Sequence, residues 1–472
     1  MRSHDASGDS RLSRWLRVRE FAVPPSMIET ATARRAVGDW AGACAAAGVD
    51  VDLHPRSVAR THGQELAALL RADLRHLAPD LLRWHMPRIA PDGLLRPGLT
   101  FTLARYDTPA GEGALHLVVR TPPAWADAGQ RVSLALWDGS ARSPGGTRDH
   151  PHPRPDRRFR LDLHRHLWDA RRAGELRTRA GAGADPLGLA PPGLRCAADR
   201  WAAEGGILLG AEGRAAGTGA FTVRLGAGRR LVLALVADAD ADRAGTRLVR
   251  VADDGAVTAA LPVLPDAATW VLPDLDLLQA GLIEADRLHP LVADALVPGR
   301  TVSGARRVPG EAGAPRRVEC RGAEHRIGLV DGVLAALDHD PDEIRREELL
   351  AALTGTPLPC LRAIDSAHRH PECLPDVRAR LDHGDIRGAL AVVEGLLGPD
   401  ALLRNGDLRD ELEAVALRRV DYGLFRAGLA EPPRGPWFGG GTAPAVPRRR
   451  RMRPLAAGHR RSRTRTSTAS AR

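Results

Sequence analysis

Cys360, His368, His370 and Cys373 place four potential metal ligands within fourteen residues, in the order C-x7-H-x-H-x2-C. Thiolate and imidazole are the donors zinc prefers at tetrahedral corners, and the intervening Asp365 or Glu372 could add oxygen or outer contacts. Pro371 forces a turn between the last two ligands and could fold them inward. The spacing departs from standard fingers, whose ligands pair two to five apart on two separate elements. The competing reading is a helix–loop–helix connection with incidental histidines, in a chain that holds 17 of them.

Asp162, His164, His166 and Asp169 form a second cluster. On a strand the first three would share one face, as hydrolytic metal sites require; on a helix they would splay. The neighbouring Leu167 and Trp168 favour a packed helix start. Asp238, Asp240 and Asp242 resemble the opening of a calcium loop. Arg243 and Val249 stand where such a loop needs glycine and glutamate, so an acidic hairpin loop is the better reading. The acidic run Asp338–Glu343 sits where a helix N-terminus favours acids, and reads as a cap and a solvated face. Asp365, Ser366 and His368 are close in sequence, but a triad is defined in space. The chain has no G-x-S-x-G, H-E-x-x-H or G-x-G-x-x-G motif.

Lysine is absent, so all 68 basic side chains are arginine, against 58 acids. That removes Schiff-base and pyridoxal chemistry, the P-loop lysine and the kinase strand lysine. The formal charge of +10 is local. Ten arginines fall between Arg448 and Arg472 with no acid, which leaves residues 1–447 with 58 arginines against 58 acids. Arg448, Arg449, Arg450, Arg451 and Arg453 open this tail and could meet nucleic acid or another acidic partner through phosphate-type contacts. No aromatic residue lies beyond Arg448 to stack on bases. A solvated tail, or an out-of-frame C-terminus, accounts for the same composition.

The elements that must position these residues point to an α+β chain. Helical N- and C-terminal regions flank a middle with two β-rich segments, and a disordered basic tail follows. Residues 1–26 read as a flexible leader, or as sequence upstream of a start at Met27. Residues 27–137 hold a helical start and then strands at 99–106, 115–120 and 132–137. Residues 138–158 read as a proline-rich loop or linker carrying His150 and His152. Residues 159–297 carry a helix, a second β-rich segment at 221–225, 229–237 and 247–252, and helices at 274–279 and 284–296. Residues 298–315 are a loop. Residues 316–430 pair two strands and continue over 333–429 as a mostly helical C-terminal domain, with a helix start at Pro341. Residues 431–472 form the Arg-rich tail. Gly38–Ala43 and Gly384–Ala389 share the pattern G-D-x-x-G-A, which fits a paired-helix repeat or an ordinary helix-start turn.

No apolar run approaches the roughly 18–20 residues of a membrane helix, and no secretory signal is visible. Five cysteines suit reduced thiols in a cytoplasmic protein better than a disulfide framework.

Ala78–His85 (APDLLRWH), Leu167–Leu176 (LWDARRAGEL), Pro273–Gly281 (PDLDLLQAG) and Leu288–Val292 (LHPLV) resemble, as a set, a family of uncharacterised proteins from GC-rich actinobacteria. The resemblance covers most of residues 28–430. It implies gene neighbourhoods with MoxR-type ATPases and von Willebrand A-domain proteins, which are then the protein partners to expect. It assigns no catalytic residue. Together these readings favour a non-catalytic interaction or adaptor subunit of a bacterial assembly. The alternatives are a zinc-dependent enzyme or zinc-stabilised module on Cys360, His368, His370 and Cys373, and nucleic-acid binding through the tail.

Overall fold

The strands fall into three separate sheets, each covered by helices near it in sequence. The computed structural model describes residues 11–430, apart from 109–112, 140–149, 151, 182–183, 186, 215–217, 227, 239–244, 253–257, 300–314 and 356. Residues 431–472, with all ten tail arginines, lie outside the described residues, as do Asp240 and Asp242.

Residues 11–17 are helical and run into a π-helical turn, Val18–Ala22. Then come α1 (Pro25–Ala36), α2 (Trp40–Ala46), β1 (Val49–Val51), α3 (Pro55–His62), α4 (Gln64–His76) and α5 (Pro79–His85). A meander follows: β2 (Thr100–Asp107), β3 (Ala114–Arg120) and β4 (Val132–Trp137). The sheet order is β1-β4-β3-β2, antiparallel except where β1 runs parallel to β4. Leu66, Leu70 and Leu74 repeat at helical spacing along α4 and pack with Phe101, Leu117 and Leu134 of the sheet into one large core.

Two expected loose segments belong to this body. Val18, Ala22 and Val23 of the expected leader have no exposed surface, and Trp15 packs on Trp84. Their spacing gives one turn an apolar face, although the segment as a whole is polar. In the expected linker, His150 is buried with Nε2 at 3.0 Å from the Thr121 carbonyl, and the Asp156 amide donates to the Thr100 carbonyl. The described backbone there is loop, as expected, and it satisfies an edge of the first sheet.

The helix expected around 167–176 is a pair of 3-10 turns, Arg165–Leu167 and Ala173–Glu175, before the short α6 (Leu176–Arg179). Next come α7 (Trp201–Ala211) and an antiparallel sheet of β5 (Gly219–Arg224), β6 (Arg230–Asp238) and β7 (Gly245–Val251). Then follow α8 (Asp266–Thr269), α9 (Pro273–Gln279) and α10 (Pro290–Leu296).

The third sheet is built from β8 (Arg316–Cys320), β9 (Ala323–Val330) and β10 (Val333–Ala336). Both its hairpins have two-residue loops with positive φ throughout: Arg321 and Gly322, then Asp331 and Gly332. That is the turn type whose twist matches paired strands. Five helices follow: α11 (Pro341–Thr354), α12 (Pro359–Arg369), α13 (Leu374–His383), α14 (Ile386–Leu397) and α15 (Asp407–Arg426).

The G-D-x-x-G-A echo is one local device used twice. Asp39 accepts from the Gly42 amide at 2.8 Å, and Asp385 from the Gly388 amide at 2.9 Å. Each aspartate caps the second helix of a pair. A Cβ on either glycine would lie about 2 Å from the capping carboxylate. Among the described residues no helix is long and apolar enough to cross a membrane.

Candidate functional site

Two groups of buried titratable side chains stand out, and the first is assembled from the phrases that carry the family resemblance. Asp80, Trp84 and His85 come from α5, Asp274 from α9 and His289 from the residue before α10. The carboxylate of Asp80 meets His289 Nε2 at 2.9 Å, and neither side chain has exposed surface. The Leu291 amide donates to His289 Nδ1, which places the ring proton on Nε2, facing Asp80. Trp84 donates its indole N–H to Asp274 at 2.7 Å, and His85 Nε2 lies 3.5 Å from the same oxygen. Burial pushes the Asp274 carboxyl up, but His85, Trp84 and Arg19 outweigh it and hold it below the usual range.

His164 and His166 extend this seam. His164 anchors Nδ1 on the Arg160 carbonyl four residues back, as His85 does on Leu81, and presents Nε2 to Glu204 at 3.2 Å. Burial alone would raise the Glu204 carboxyl, yet His164 and Arg179 bring it down to about 2. His166 is buried beside His164, and its Nδ1 has no hydrogen-bond partner among the described residues. Burial, with His164 and Arg179 nearby, drives His166 well below the ordinary histidine value. The cavity between these groups is about 10 Å³, which is room for about one water and for no organic substrate.

The expected Asp162–Asp169 metal cluster therefore does not converge. Asp162 pairs with Arg160, His164 with Glu204, and Asp169 with Arg165 and Arg171. The turn-rich backbone here lacks the strand alternation that would bring the three side chains to one face.

The second group lies on the third sheet. Cys320 at the end of β8, His339 just before α11 and Cys360 in the first turn of α12 have donor atoms all within 4.8 Å of one another. It is the one such three-donor group of histidine, cysteine or carboxylate among the described residues. Cys360 Sγ is 3.5 Å from His339 Nε2. Burial, then Cys320 and Asp338, push the Cys360 thiol up to about 11.

Of the four ligands proposed from sequence, only Cys360 belongs to this group. His368 lies eight residues along the same helix, a rise of about 12 Å. It is buried, with Nδ1 unpaired among the described residues. His370 caps the end of α12, is exposed, and faces Asp407 at 3.4 Å. Cys373 is half-buried against the helical core of α13–α15. Asp365 is engaged by Arg369 and Arg404.

Cys320 and His339 escaped the sequence reading because two hairpins and α11, not short spacing, bring them to Cys360. His339 sits inside the acidic run read as a cap. That reading holds for Asp340, which accepts from the Asp342 amide at 2.7 Å. The visible signal for Cys320 was a buried-type residue abutting a tight Arg-Gly turn. No protein family, no curated protein and no solved structure matches this chain.

Proposed function

We propose that this chain is a non-catalytic interaction subunit of a bacterial cytoplasmic assembly, and that the outer face of α15 docks a protein partner. One observation carries the reading. Leu417, Val420 and Leu424, at helical spacing, are 66%, 58% and 40% exposed on one side of α15. The opposite side already buries Leu408, Val415, Tyr422 and Phe425. A helix apolar on both faces has one face too many for a surface position. The inner face is fixed: Tyr422 donates to Asp50 at 2.7 Å and Arg426 pairs with Asp50 and Asp52. The outer stripe is thus held rigidly, as helix-in-groove recognition requires. An ATPase of MoxR type with a von Willebrand A-domain protein is the partner class the resemblance suggests.

The test is purification of the tagged full-length chain from its native host under gentle conditions, beside a Leu417→Glu/Val420→Glu variant. The wild-type chain is expected to elute with a stoichiometric partner that the variant loses, while the variant's circular dichroism stays unchanged. A bare wild-type monomer would overturn the proposal.

A further inference from the structure

We propose that Cys320, His339 and Cys360 bind a zinc ion, with water at the fourth corner. Zinc–sulfur and zinc–nitrogen bonds of about 2.3 and 2.0–2.1 Å set a tetrahedral S···N edge of about 3.5 Å. The Cys360 Sγ–His339 Nε2 separation is 3.5 Å. The pocket is therefore spaced for an ion between the donors. Two thiolates and one imidazole form a soft donor set, which favours zinc over magnesium or calcium.

The orientation of His339 gives an independent reason. Its Nε2 faces the thiols, while its Nδ1 lies 3.6 Å from the Glu343 carboxylate, one helical turn on. A metal-bound histidine characteristically offers its other ring N–H to a carboxylate, which fixes the tautomer and strengthens the donor. The His325 ring stacks on His339 at 4.2 Å and 11°, holding it from the side. Cys320 and Cys360 have no exposed surface, and the His339 side chain is 4% exposed. Zinc is held by the thiolate forms of both cysteines, their protons leaving to solvent, so the ion and its ligands together carry no net charge.

The surroundings explain what an ion would do. The core of this sheet consists of Cys320, Ile327, Cys360 and Ile364, and α11 buries no residue at all. Arg321 ties α11 to the hairpin through Glu343 and Glu347, both on the surface. Surface pairs of this kind contribute little. A metal cross-link between β8, the start of α11 and α12 would supply what so small a core lacks.

The experiment uses the full-length chain, purified without chelator, incubated with zinc and desalted. About one zinc per chain is expected, and less than about 0.1 overturns the proposal. Replacing zinc by cobalt is expected to give a thiolate-to-cobalt charge-transfer band in the wild-type protein, a readout that needs no variant to fold; its absence also overturns it. Cys320→Ser, His339→Ala and Cys360→Ser should each weaken zinc binding at least tenfold, whereas His370→Ala and Cys373→Ser should not. The reverse pattern would return the site to the contiguous C-x7-H-x-H-x2-C segment. A mass two units low, with only Cys44, Cys196 and Cys373 alkylated by iodoacetamide after denaturation, would reveal a Cys320–Cys360 disulfide instead, and that too would overturn it.

Discussion

The histidine–carboxylate seam and the Cys320–His339–Cys360 group are both buried, yet they resolve the cost of burial in opposite ways. In the seam each acid meets a partner: Asp80 has His289, Asp274 has Trp84 and His85, and Glu204 has His164 and Arg179. The thiol group has no such compensation, and burial keeps Cys360 neutral with a pKa of about 11. The seam engages its carboxylates with partners within the fold, although Asp80 Oδ1 and His166 Nδ1 are left without a hydrogen bond among the described residues. In the thiol group three donor atoms lie within 4.8 Å of one another, the convergence on which the zinc proposal rests. The contrast is between carboxylates paired within the fold and converging soft donors, which is why the proposed zinc site is placed at the latter.

The sharpest way to break this contrast is at Asp80 and His289. Removing one partner strands the other without solvent, so Asp80→Ala or His289→Ala should each cost about 3–5 kcal/mol in urea unfolding. Replacing both with leucine should cost clearly less than either single change. If single and double variants lose equal stability, the pair is not a matched unit.

Lowering the pH comes next. His150 has its pKa pulled down to about 4, chiefly by burial, and His166 lies well below its usual 6.5. Both groups take up protons more readily when unfolded. The stability they contribute is therefore present above pH about 6.5 and is lost as pH falls below that value. Glu204 acts further down: its folded value of about 2 lies below the ordinary 4.5, so its contribution fades between those limits. The urea midpoint should begin to fall near pH 6.5 and keep falling to 4; a flat midpoint over that range contradicts neutral burial of these histidines.

Trp84→Phe tests one donor of the seam. It leaves Asp274 short of one hydrogen bond and should cost about 1–3 kcal/mol. The smallest expected effect is at the two helix-start turns. Gly42→Ala and Gly388→Ala each push a Cβ into the capping carboxylate and should cost about 1 kcal/mol, the worth of a lost cap. Equal losses in thermal unfolding would confirm that the two copies of the motif are the same device; an unchanged midpoint in both would show that neither cap matters.

Much of the architecture was legible because it is local. The strands of the first sheet follow alternation, and the observed β2, β3 and β4 depart from the expected limits by a residue or so. Pro341 with Asp342 and Glu343 marked a helix start that the structure places at the same residue. The parts that were not legible depend on distant segments. Residues 11–23 look polar until Val18, Ala22 and Val23 are seen under Arg83 and Trp84. The family-like phrases carry no chemistry singly, and meaning appears only when Asp80 finds His289 and Trp84 finds Asp274. Cys360 was among the candidate ligands, but the groups near it lie elsewhere: His339 is 21 residues upstream, before α11, and Cys320 is 40 residues upstream, before two hairpins as well.

Arg83 shows what such distant closure means for a growing chain. Its buried guanidinium is met by three backbone carbonyls, of Ala22, Gln130 and His383, and its pKa is drawn down to about 10 by burial. The last of these is 300 residues downstream. At synthesis rates of about 5–20 residues per second, roughly 15–60 s separate the appearance of Arg83 from that of its final acceptor. For that interval the guanidinium has two of its three carbonyl acceptors, and the third arrives only with the last residue of α13.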